Sequence, residues 1–326
     1  MVMEEPSTDL SAVQLEIEFA KKLAVNDKMQ RDKAMRHLWR WLRAESEGGK
    51  KFSQKDLSLI WKGLYYCMWM CDKPKVQDEL ASNMVKLSDC FASQTSSTLN
   101  FFDTFFQMFT REYPRLDKFR IDKFLTLTRR MLHRTLVWLH SKDWSEKSVK
   151  DLFARLQLHI FSGDNLACPE GLQGYISEIF LQEFTKVLTE TDNLKSTVDL
   201  TPVFMAVIDA LNKSNTPFLR QVLTKNIFQC IRNHSDIIRR VNTAVLAAYA
   251  LELGKEPKCL VKNRRALYNI FNYFSTLKVR IETIEGEQPD VIAAEVSDAG
   301  EAIADDAGEA IADDAGEAIA DDADSE

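Results

Sequence analysis

Glycine is scarce in this chain. Only seven of its 11 glycines fall in residues 1–280, too few for the many tight turns of an all-β protein. No apolar run reaches the length of about 18 residues that spans a bilayer, so no membrane association is expected. The opening MVMEEPSTDL has neither basic residues nor an apolar stretch, which predicts no secretory signal. Its six cysteines are then expected to be reduced thiols in a cytosolic or nuclear protein. Catalytic patterns are missing too. Cys67 and Cys71 are four residues apart, but no second cysteine pair stands at finger spacing and no His is near. Buried thiols behave as small hydrophobes, and that reading is favoured here. His37, His159 and His234 are isolated, and His133 and His140 sit among basic neighbours. Gly48-Gly49-Lys50-Lys51 lacks the spacing of a phosphate loop. These absences predict a non-enzyme with no cofactor, no metal and no small-molecule ligand.

What is present is charge of two kinds, kept apart. The net charge of −7 hides an acidic end: 17 of the 49 Asp and Glu lie in residues 281–326, with no Lys or Arg, leaving 32 acids against 42 bases and a net of +10 in residues 1–280. Such asymmetry points to a polyanionic partner. The acidic segment repeats DAGEAIAD from Asp298, Asp306 and Asp314. A period of eight drifts about 80° per unit around an α-helix, so the repeated isoleucines never share a face. Residues 281–326 are therefore expected to be a disordered tail, and residues 1–8 a disordered N-terminus.

Between them, residues 9–280 read as amphipathic helices near 9–25, 28–45, 54–71, 74–92, 97–112, 115–140, 145–161, 170–190, 199–213, 216–230, 234–253 and 258–280. Asp72/Pro74, Tyr113-Pro114, Cys168-Pro169, Thr201-Pro202, Thr216-Pro217 and Gly254 punctuate them. The predicted class is all-α, an irregular α-solenoid of antiparallel hairpins of HEAT or armadillo type. The segment Leu64–Cys71 is hydrophobic, aromatic or thiol at every position, so it should be covered on all sides. The stripe Phe101, Phe102, Phe105, Phe106 and Phe109 is expected to be core, with part of its helix left open as a protein-docking surface.

Basic side chains supply the candidate site. Lys33, Arg36, Arg40 and Arg43 recur at steps of three and four, forming a positive stripe opposite Leu38 and Leu42. Arg129, Arg130 and Arg134, with His133, form a second cluster; Arg239, Arg240, Lys262, Arg264 and Arg265 form a third. Such stripes neutralise phosphates without reading sequence. The plain alternative for any one of them is a solvated helix face. The short runs at Arg239-Arg240 and Lys262–Arg265 are also weak nuclear-import candidates.

Three blocks carry a resemblance: FAKKLAVNDKMQRDKAMRHLWRWL (19–42), LSLIWKGLYYCMWMCDKPKVQDEL (57–80) and RLDKFRIDKFLTLTRRML (115–132). The chain resembles the eukaryotic ribosomal RNA-processing protein 1 family over most of residues 10–210. The resemblance implies a nucleolar, non-catalytic assembly factor in maturation of the large-subunit (60S) precursor RNA. It implies partners among pre-60S assembly factors and ribosomal proteins, with pre-rRNA as a further contact. It agrees with the helical-repeat fold, and it assigns no individual RNA-contacting residue. The alternative is a general helical-repeat adaptor in transport or signalling, without an RNA role.

Overall fold

A computed structural model describes residues 27–161, 168–191 and 198–284, together with 18, 19, 21–23 and 25. The expected tail, the first eight residues and most of the first expected helix lie outside the described residues. Among the described residues every regular element is helical: α1 (Lys28–Glu47), α2 (Gln54–Trp69), α3 (Pro74–Lys86), α4 (Thr95–Glu112), α5 (Ile121–Ser141), α6 (Glu146–His159), α7 (Glu170–Thr191), α8 (Thr201–Asn212), α9 (Pro217–Leu223), α10 (Ser235–Ile238), α11 (Thr243–Lys255) and α12 (Val261–Ile284). The chain is all-α, as the periodicity predicts.

Local chemistry sets the ends of these helices. Asp27 caps α1 through the Met29 amide. Ser53 and Asp56 exchange side-chain-to-backbone hydrogen bonds at the start of α2, closing a capping box. Proline occupies the first turn of α3, α8 and α9, where its missing N–H costs nothing. The expected helix over 74–92 instead tightens to a 3₁₀ turn at Leu87–Phe91. The one over 216–230 widens to a π turn at Thr224–Phe228. The one over 234–253 is split, because the Asn242 side chain accepts from the Val245 amide and starts α11 afresh.

Packing follows a skip-one order. α2 lies on α4, α4 on α6, α6 on α8 and α8 on α11, while α3 lies on α5, α5 on α7 and α7 on α9; α12 folds back on α11 and also reaches α8. Two ladders result, sharing one continuous core from Leu23 to Leu277. In its first half the core is an aromatic seam. Trp41–Phe52, Phe52–Phe91, Phe91–Phe101, Trp61–Phe101 and Tyr65–Phe124 have ring centroids 5.7, 5.2, 5.7, 4.8 and 4.8 Å apart. Trp61 is fully buried and its indole N–H donates to the Phe101 carbonyl at 3.0 Å.

Two packing expectations are corrected. All five phenylalanines of the α4 stripe are buried, so they offer no docking surface; α2, α6 and the 3₁₀ turn cover that helix. Conversely, the greasy end of α2 is not sheathed all round: Tyr66 and Met70 are 42% and 37% exposed. They sit four apart, on one side of α2 and its C-cap.

Candidate nucleic-acid interface

The three basic clusters meet different fates. On α1, Ala34, Met35, Leu38 and Leu42 face the core, which turns Lys33, Arg36, Arg40 and Arg43 to solvent. Arg43 donates to Glu47 at 2.8 Å and lies over the Trp39 ring. Lys33, Arg36 and Arg40 have no ion-pair partner among the described residues. Here the spacing argument holds, and the charges are available. Beside the stripe, α1 and α3 border a cleft of about 320 Å³ lined by Arg31, Met35, Arg36, Trp39, Cys67 and Leu80, among others. Its rim carries both signs, Lys28 and Lys86 against Asp32 and Glu79.

The second cluster is spent inside the chain. Arg129 pairs with Glu183, Arg130 with Asp78, and Arg134 with Asp89. His133 lies 3.1 Å from Glu183 and 3.3 Å from Glu190. Lys186 also reaches Glu183, at 2.7 Å. Four permanent cations thus meet four carboxylates, and the cluster's formal charge is balanced within the chain. These pairs tie α5 to α3 on one side and α7 on the other. Glu183 is 3% exposed. Burial alone would raise its pKa, but hydrogen bonds from His133, Lys186 and Arg129 outweigh that and hold it at about 2.

The third cluster divides. Arg239 and Arg265 are exposed, with no ion-pair partner among the described residues, whereas Arg264 is half-buried and donates to the carbonyls of Glu256 and Cys259. Arg240 is half-buried beside α8, its carbonyl accepting from the Leu200 amide, and Lys262 is exposed at the start of α12. These residues sit at the α11–α12 end of the ladders and the α1 stripe at the other. The α1 stripe and the third cluster are therefore separated along the ladders.

Cysteine and histidine are placed structurally. Cys67 and Cys71 are 1% and 2% exposed, and burial pushes the Cys67 thiol up to about 12, far from a reactive thiolate. His159 lies 2.9 Å from buried Asp103, which Arg155 also approaches at 3.3 Å. This joins α4 to α6, just as Gln54 joins α2 to the same carboxylate. Among the described residues, no three His, Cys, Asp or Glu side chains are grouped to hold a metal ion.

One further basic surface has no helical period, because it runs from the last turn of α4 into the α4–α5 connector. Arg111, Arg115, Lys118 and Arg120 follow one another here, and Arg115 and Arg120 lie close to the C-terminal end of α2. The Arg120 guanidinium stacks 4.2 Å from the Trp69 ring, and buried Lys123 donates to the Trp69 and Cys71 carbonyls at 2.7 and 2.8 Å, a cation on the negative end of α2. Burial first, then nearby Glu112, push the Tyr65 hydroxyl up to about 12 against the pull of Arg115 and Arg120. The signal was present as bases interleaved with aromatics in REYPRLDKFR, but it has no helical period.

Comparison with known proteins agrees with the blocks quoted above. A family model described as nucleolar protein Nop52 matches residues 14–271. Human ribosomal RNA processing protein 1 homolog A is 35% identical over 231 residues, covering 68% of this chain and 48% of its own. The Drosophila melanogaster homolog is 34% identical over 178 residues, covering 55% of this chain and 26% of its own. The Caenorhabditis elegans homolog is 28% identical over 281 residues, covering 82% and 69%. The chain spans about half or less of the human and fly relatives. With the match running through all but the last of the described helices, the chain belongs to the Nop52 family of nucleolar proteins.

Proposed function

We propose that this chain is a non-catalytic scaffold of ribosome assembly in the nucleolus, acting in processing of precursor rRNA for the large (60S) subunit. In this reading the two helical ladders are an irregular α-solenoid of HEAT or armadillo type, whose surface holds pre-60S assembly factors and ribosomal proteins. The α1 stripe touches the backbone of precursor rRNA. Family membership and the names of the relatives support the process. The observation that carries the RNA contact is the row of Lys33, Arg36 and Arg40, exposed and without carboxylate partners. Such a row neutralises phosphates and binds by shape and charge.

Depletion followed by probing of precursor rRNA tests the process: unprocessed large-subunit precursor should accumulate. The triple variant Lys33→Glu, Arg36→Glu, Arg40→Glu tests the contact. It should fold normally and lose RNA affinity, with a shallower dependence on salt. A general adaptor role draws support from one observation, the internal neutralisation of Arg129, Arg130 and Arg134. Normal rRNA together with a transport defect on depletion would establish that role instead.

A further inference from the structure

At the corner where the α4–α5 connector meets the end of α2, two aromatic side chains stand open among cations. Phe119 is 80% exposed, with the Lys118 ammonium 5.1 Å from its ring. Tyr66 is 42% exposed and packs edge-on against Tyr65 at 5.5 Å. Tyr65 continues to Trp69 at 5.8 Å, and Arg120 covers Trp69 at 4.2 Å. Just before Phe119 in the chain, Arg111 and Arg115 share a single carboxylate, Glu112, at 2.9 and 3.2 Å while remaining 64% and 66% exposed. Asp117 is matched by Arg120, and Lys118 has no carboxylate partner. With buried Lys123, its neighbour Asp72 and exposed Asp122 counted, five cations meet four carboxylates and leave a surplus of one positive charge, with Lys118 and Arg120 beside ring faces.

The composition of this corner selects its occupant. A protein hot spot takes apolar anchors into a desolvated pocket ringed by near-neutral contacts. Here the rings project singly from the surface, and guanidinium groups lie where a rim would be dry. A duplex has its bases stacked inside, so an outward-pointing ring has nothing to lie on. An unpaired strand offers both things the corner can take: base faces for rings, and phosphates for cations.

We propose that Phe119 and Tyr66 are stacking platforms for an unpaired stretch of RNA whose phosphates run over Arg111, Arg115 and Lys118. The proposal rests on the RNA reading above and deepens it: α1 meets backbone alone, whereas this corner meets bases.

The test uses the full chain with a fluorescent oligouridylate, a strand of equal length with abasic positions, and a duplex RNA. Phe119→Ala should weaken oligouridylate binding about fivefold or more, leaving abasic-strand and duplex affinities unchanged. Lys118→Ala should lower the salt slope by about 0.7. Phe119 is so exposed that its loss should move Tm by no more than about 1 °C, which separates lost contact from lost fold. Equal oligouridylate affinity for Phe119→Ala and the parent chain overturns the proposal, as does an equal loss on the abasic strand. If the α1 triple variant loses RNA while Phe119→Ala does not, base stacking falls and the backbone contact stands. If the parent chain binds none of the three probes, both fall. Loss of a particle protein from Phe119→Ala with RNA affinity intact also overturns it, marking the corner as a protein contact.

Discussion

Glu183 shows what a single buried carboxylate does in this protein. Its folded pKa of about 2 lies below the ordinary 4.5, so its contribution is complete above pH 4.5 and is lost as pH falls from 4.5 toward 2. About 3 kcal/mol is at stake, from roughly 1.4 kcal/mol per pKa unit. Urea unfolding at stepped pH should show Glu183→Gln less stable at pH 7 and the two proteins converging near pH 2. At this scale the sequence was readable for residues with a period and unreadable for those without one. Leu38, Leu42 and Trp61 announce burial by spacing, and Cys67 by its greasy neighbours. Nothing in the sequence places Glu183 against Arg129, because that pairing spans 54 positions and depends on how α5 meets α7. The pairing of the second basic cluster was unreadable for that reason: its carboxylates come from α3, α7 and the 3₁₀ turn.

At the scale of elements, the helices were legible where caps and prolines punctuate them. They were less so where one helix changes its winding. Ser53 is a cap whose partner Asp56 reciprocates. Ser53→Ala should cost about 1 kcal/mol and lower Tm by roughly 3 °C in a chain of this size, measured by circular dichroism. The 3₁₀ turn at Leu87–Phe91 and the π turn at Thr224–Phe228 have no comparable mark in the sequence, because tertiary contacts impose them. Leu87, Cys90 and Phe91 are buried there and α1 packs over them. The same logic explains the exposed side of α2. Hydrophobicity at every position demands neighbours, but the fold leaves Tyr66 and Met70 partly exposed.

For the whole molecule, charge decides more than shape. The acidic segment and RNA are both polyanions and compete for the basic body, so the segment should screen the α1 stripe from RNA. Removing residues 287–326 should therefore raise RNA affinity at low salt and make no difference at high salt. An unchanged affinity at low salt rules out screening. The aromatic seam has a consequence of a different kind. All six tryptophans lie between residues 39 and 144, and the last of them reaches only as far as Phe184 of α7, so tryptophan fluorescence watches the ladders up to α7 and not the α11–α12 end, whereas far-ultraviolet dichroism counts every helix alike. Melting curves recorded both ways will superimpose if the molecule opens as one unit, and will part company if the α11–α12 end unravels first.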